Sequence, residues 1–113
     1  MRKDERVFLH HMLDCISKIE RSLKGVKKED FERMEEKQAA VIRWLEVIGE
    51  AAKYLPEDFK SKHQEVPWSD IARTRDKLIH HYFGVDLDVV WEIVKKDLPE
   101  LKEKLEKILG ELE

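Results

Sequence analysis

The chain has 113 residues and one cysteine, with 22 Lys and Arg against 25 Asp and Glu, a net charge of −3, and 42% charged beside 42% hydrophobic side chains. A length of this order makes a single domain, residues 1–113, around one core. Charge this dense leaves no run near the roughly 20 apolar residues of a membrane span. The charged residues 1–25 lack the apolar stretch of a signal peptide, and Cys15 alone supplies neither a disulfide nor a thiolate zinc site. The expectation is a cytoplasmic protein, not a membrane one, with Cys15 packed in the core.

Asn is absent and Gln occurs twice, while Glu and Lys dominate the polar positions, the balance of thermophile proteins. The charge is also uneven. Residues 60–81 hold five Lys or Arg, three acids and three His, whereas residues 86–113 hold five Lys and nine acids. An anionic partner should therefore meet the middle of the chain.

Apolar periodicity is helical from end to end, which predicts an all-α fold. The first helix is expected from about Asp4 to Lys24, on the stripe Leu9, Met12, Ile16, Ile19 and Leu23, with Gly25 at its end. A second should start at Asp30 and carry Phe31, Met34, Gln38, Val41, Leu45, Ile48, Ala52 and Leu55 to the stop at Pro56. As one helix it would be about 38 Å long, the spine of a bundle. Gln38 stands where the stripe calls for Leu, either as a register-setting polar group or as a residue facing solvent.

Residues 56–67 read as a loop with a short turn near Asp58–Lys62. A third helix is expected from Ser69 to Tyr82, broken by Phe83-Gly84-Val85. Asp86 or Asp88 then caps a fourth, with the stripe Leu87, Val90, Val94, Leu98, Leu101, Leu105, Ile108 and Leu112. Pro99 should kink or restart it near Asp97. His10, His11 and His63 have no ligand-spaced partner and read as surface or satisfied core residues. Trp44, Trp68 and Trp91 read as core or interface anchors.

The third helix departs from the pattern. On a wheel of about 100° per residue, Ile71, Ala72, Leu78, Ile79, Tyr82 and Phe83 all fall within roughly 80° of Arg75, so a guanidinium sits in mid-stripe. Burying it requires an anion or several acceptors. Asp76 and His80 are i and i+4 along one edge with Ser69, close enough for the carboxylate to fix the imidazole tautomer. Thr74, Lys77 and His81 face the other way. A fixed cation, an oriented imidazole and the Tyr82 hydroxyl suit phosphodiester chemistry, where charge develops on phosphorus and a proton must move. The same residues also fit a structural ion pair with a neighbouring Glu beside a surface Asp-His pair. Asp76 and His80 have no third ligand at useful spacing, so no metal site is expected.

The string Arg75-Asp76-Lys77-Leu78-Ile79-His80-His81-Tyr82-Phe83-Gly84-Val85-Asp86 has Pro67-Trp68 and Ile71 ahead of it, and Val90-Trp91 and Asp97-Leu98-Pro99 behind. It strongly resembles the HepT-like branch of the HEPN superfamily, whose hallmark is an Arg, a polar residue, a His four to six positions on, and in this branch x-Tyr. The resemblance implies a four- to five-helix antiparallel up-and-down bundle that forms a homodimer, with both motifs meeting in a cleft. It implies a metal-independent endoribonuclease toxin with no cofactor, acting on RNA and neutralised by an MntA-like nucleotidyltransferase antitoxin. Carried over by residue, Arg75 would stabilise the scissile phosphate and His80 would transfer protons. Asp76 would orient them, and Tyr82 would receive AMP from the antitoxin. Asp stands after the Arg where Asn is often found. The alternative expectation is a non-catalytic adaptor that binds a nucleotide or a nucleotidyltransferase through the same cleft.

Overall fold

The computed structural model describes residues 4–74, 78 and 84–113, and the fold is all-α. Helix α1, Glu5–Leu23, begins where the Asp4 carboxylate accepts the Arg6 N–H at 2.9 Å, satisfying one of the donors a helix start leaves open. It ends ahead of Gly25, whose φ of +76° needs a residue without Cβ. The expected stripe is buried, and Cys15 lies in it, 3% exposed.

The expected spine helix is two helices. A single turn, α2 (Lys28–Phe31), is followed by a break and then by α3, Glu35–Tyr54, 20 residues and about 30 Å instead of 38. Gln38 explains the break. In a continuous helix the Phe31 carbonyl would serve the Glu35 N–H; here it accepts the Gln38 side-chain amide at 2.8 Å and the Met34 N–H at 3.1 Å. Freed from the long helix, the Phe31 ring is fully buried and packs on Trp91 with centroids 5.4 Å apart. Gln38 is thus a half-buried staple holding α2 onto α3, neither a seam residue nor a solvent one.

Pro56 ends α3 as expected, and α4 (Glu57–Lys62) and α5 (Trp68–Ala72) follow. Helix α6, Leu87–Glu92, is capped by Asp86, whose carboxylate accepts the Asp88 and Val89 N–H groups at 3.0 and 3.3 Å. It runs into a π turn, Ile93–Asp97, and on into α7, Leu98–Leu112. Pro99 sits in the first turn of α7. It has no N–H for the Lys95 carbonyl and its ring presses on that carbonyl. The wider turn ahead of it, where the Leu98 N–H reaches back five residues to Ile93, accommodates the clash.

Cross-links give the helix directions. Lys37, near the start of α3, donates to the Ser22 carbonyl at the end of α1 at 2.9 Å. Lys102 of α7 pairs with Glu20 at 3.0 Å while Glu113 meets His10 at 3.1 Å. Both α3 and α7 therefore run antiparallel to α1. The core lies among them, with Leu9, Met12, Ile16 and Ile19 against Val41, Leu45 and Ile48 of α3 and Leu105 and Ile108 of α7. Trp68 is buried, and Trp44 and Trp91 are half-buried against this core. His10 and His11 are on the surface, and His63 is half-buried against the Phe59 ring at 4.6 Å. No helix among the described residues is long and apolar enough to cross a membrane.

Candidate functional site

The segment singled out in the sequence is entered through α5. Trp68 anchors that helix: it is 7% exposed, its indole N–H donates to the His63 carbonyl at 2.9 Å, and its ring lies 6.1 Å from Phe59. An aromatic cluster of Phe59, His63 and Trp68 thus ties the loop after α4 to the start of α5.

At its other end α5 crosses α3 against Gly49. A Cβ on Gly49 would stand 2.9 Å from the Ile71 carbonyl oxygen and 3.7 Å from that of Ala72. Glycine in mid-helix costs about 1 kcal/mol relative to alanine, and here it is what lets the two backbones approach. The chain then turns at Arg73, with φ −96° and ψ 13°, so Ser69–Tyr82 is not one unbroken helix and the wheel does not carry across that residue. Thr74 shows the consequence. The wheel places it away from the apolar face, yet it is buried at 9% exposure. Its hydroxyl donates to the Ile71 carbonyl at 2.6 Å, so its polar atom enters the interior with a partner.

Arg75, Asp76, His80 and Tyr82 lie outside the described residues. The described residues next to them along the chain are Thr74, Leu78 and Gly84. Thr74 precedes Arg75 and Leu78, fully buried, lies between Asp76 and His80. Gly84, two residues beyond Tyr82, has φ +124°, a conformation that a side chain would strain, and Asp86 caps α6. Ser69, placed with Asp76 and His80 by the wheel, is exposed.

Beside this entry lies a cavity of about 150 Å³ between α3, α5 and the π turn. Ile48, Ile71 and Leu101 give it apolar walls, and Thr74, Asp97 and Lys104 give it polar ones. Among the described residues no group of three His, Cys, Asp or Glu is placed to hold a metal ion.

Two residues here escaped the motif reading, Gly49 and Thr74. An isolated glycine inside a helical stripe was the available signal for the first. For the second there was none, because its burial follows from the turn at Arg73.

The sequence matches the model of one family, "Ribonuclease HepT-like", over residues 12–108, a span that contains the Arg-x4-His-x-Tyr string. The chain belongs to the HepT-like ribonuclease family. It is 48% identical to the "Probable ribonuclease HepT" of Thermococcus cleftensis, over 96% of this chain and 98% of that one. It is 49% identical to a Methanocaldococcus jannaschii protein named "Gamma-glutamylcyclotransferase and putative RNase", over 100% of this chain, which spans 51% of that relative's length. A "Putative RNase" of Caldanaerobacter subterraneus is 47% identical over 95% of this chain and 96% of its own. No solved structure matches the chain.

Proposed function

We propose that this protein is a metal-independent endoribonuclease that acts as a homodimeric toxin and is silenced by a nucleotidyltransferase antitoxin. The observation that carries the reading is the family match, which runs through the whole string from Arg75 to Tyr82. Relatives named as ribonucleases support it.

In this mechanism the ribose 2′-oxygen attacks phosphorus and the bond to the 5′-oxygen breaks. His80 of one protomer takes the 2′-hydroxyl proton, and His80 of the other protonates the leaving oxygen. Arg75 balances the charge that develops on the phosphorane, and its guanidinium keeps that charge at any working pH. Asp76, four residues before His80, orients the imidazole. The products are a 2′,3′-cyclic phosphate and a 5′-hydroxyl. Tyr82 is the control point: its hydroxyl attacks the α-phosphate of ATP, pyrophosphate leaves, and the new phosphodiester anion competes with RNA for Arg75.

The test is RNA cleavage with end-group analysis. His80→Ala should lose about 10²- to 10⁴-fold in rate with the fold intact, EDTA should have no effect, and the chain should scatter light as a dimer of twice 13.5 kDa. Incubation with ATP and a nucleotidyltransferase of the antitoxin kind should place AMP on Tyr82 and stop cleavage. Undiminished cleavage by His80→Ala, or a monomer at every concentration, overturns the reading.

A further inference from the structure

We propose that the junction of α2 and α3 is a two-position latch: bent, as in the structure, with Phe31 seated on α6, or straight, with α3 lengthened backward through Met34 to Phe31. It does not depend on the ribonuclease reading. The bend has no cause in the residues where it falls. Sharp breaks in helices occur at Pro, at Gly, or where a side chain enters the hydrogen-bond ladder, and Glu32-Arg33-Met34-Glu35 contains neither Pro nor Gly. Glu, Arg and Met are among the better helix formers, and Phe31, Met34, Gln38 and Val41 keep helical spacing straight across the break. Glu32 even has helical dihedrals, φ −62° and ψ −17°. Met34, at φ −105° and ψ 77°, does not, and it opens α3 without a side-chain cap.

Two donors compete for one carbonyl. In the bent form the Phe31 oxygen accepts the Gln38 side-chain amide at 2.8 Å and the Met34 N–H at 3.1 Å. In the straight form the same oxygen accepts the Glu35 N–H. The Glu36 and Lys37 N–H groups, which a helix start leaves open, then gain the Glu32 and Arg33 carbonyls. What the straight form gives up is tertiary. The fully buried Phe31 ring leaves Trp91, now 5.4 Å away between centroids, and the exposed Lys28–Asp88 pair, a minor contribution, opens. Trp91 keeps its other partner, the Lys95 ammonium 4.8 Å from the ring centroid.

The chain is long enough for the change. Lys37 is tied to Ser22 at the end of α1, and in the lengthened helix Phe31 would lie about 9 Å beyond Lys37 along the axis. Eight residue steps from Leu23 to Phe31 reach up to about 26 Å. Backbone bonds gained against one buried ring lost make the straight form a minor state, about 0.1–10% of the protein, exchanging in μs to ms. The latch decides whether the Trp91 face of α6 is covered.

A passive staple predicts something different: without the Gln38 amide, stability would fall and α2 would fray while Met34 stayed non-helical. The experiment is NMR on the full chain as wild type, as Gln38→Leu, which removes the amide and completes the stripe, and as Gln38→Leu with Phe31→Ala. In both variants the Met34 carbon shifts should become helical, amide exchange at Glu35, Glu36 and Lys37 should slow by at least about tenfold, and the Trp91 indole resonance should move. In the wild type, relaxation dispersion at Met34 should reveal a minor state with the shifts of the variants. A Met34 that stays non-helical in the variants overturns the proposal, as does a wild type with no exchange at Met34 or with exchange toward random-coil shifts. If the double variant does not fold, Gln38→Leu alone decides.

Discussion

Replacing Phe31 with alanine tests whether the break between α2 and α3 exists to bury that ring. The side chain is 0% exposed and packs on Trp91 at 5.4 Å with a tilt of 39°. Truncating a buried Phe costs about 3–5 kcal/mol, of which about 0.5–1.5 kcal/mol is the aromatic pair itself. Helix α2 has four residues, too few to stand without tertiary support. The site can therefore partly collapse, which places the cost near the lower limit, about 3 kcal/mol. At about 2.1 cal/mol/K per residue over 113 residues, the unfolding entropy is about 0.24 kcal/mol/K, so the melting temperature should fall by about 13 °C. Urea unfolding followed by circular dichroism and by Trp fluorescence measures it. Phe31→Leu, which keeps most of the volume, should lose less than about 1.5 kcal/mol. A cost below about 1 kcal/mol for Phe31→Ala, or equal costs for the two variants, would show that α2 is not docked through this ring.

Cys15 is buried in the α1 stripe, and burial pushes its thiol above the ordinary range. It should resist a thiol reagent at pH 8 in the native protein and react fully in urea, with the native rate set by unfolding; rapid stoichiometric native labelling would contradict its placement. Asp4, hydrogen-bonded to the side chain and backbone of Arg6, has its carboxyl lowered from 3.8 to about 2. A depressed carboxyl contributes stability that is present above 3.8 and lost as pH falls through about 2. A carbon-detected NMR titration should therefore place its midpoint near 2, with the start of α1 fraying over the same range; an ordinary midpoint would remove the cap.

Where a signal is local, the sequence carried it. Asp4 and Gly25 bound α1 as their chemistry requires, and Pro99 marks the place where the C-terminal rod changes its winding. The break after Phe31 was invisible because the stripe Phe31, Met34, Gln38, Val41 is continuous; the break is made by a side-chain amide capturing a carbonyl and by a ring seven residues earlier finding Trp91 across the fold. Thr74 was misplaced for a related reason. A wheel assumes a constant 100° step, and Arg73 interrupts it. The motif itself was legible as a string of residue types, from Arg75 to Tyr82, rather than from any periodicity.

The π turn has a consequence for how this chain can vary. Before it, the rod faces α2 through Trp91 and through the Lys28–Asp88 pair at 2.9 Å; after it, the rod faces α1 through Leu105 and Ile108. The extra residue in the turn supplies the rotation between those two faces. Deleting one residue within Ile93–Asp97 would turn α7 by about 100° about its axis and carry its apolar row away from α1. An exposed position such as Lys96, paired with Glu92 on its own rod, can therefore change identity freely. It cannot be lost. Drift in this part of the molecule should appear as substitutions at fixed length, while insertions and deletions collect in the connections on either side.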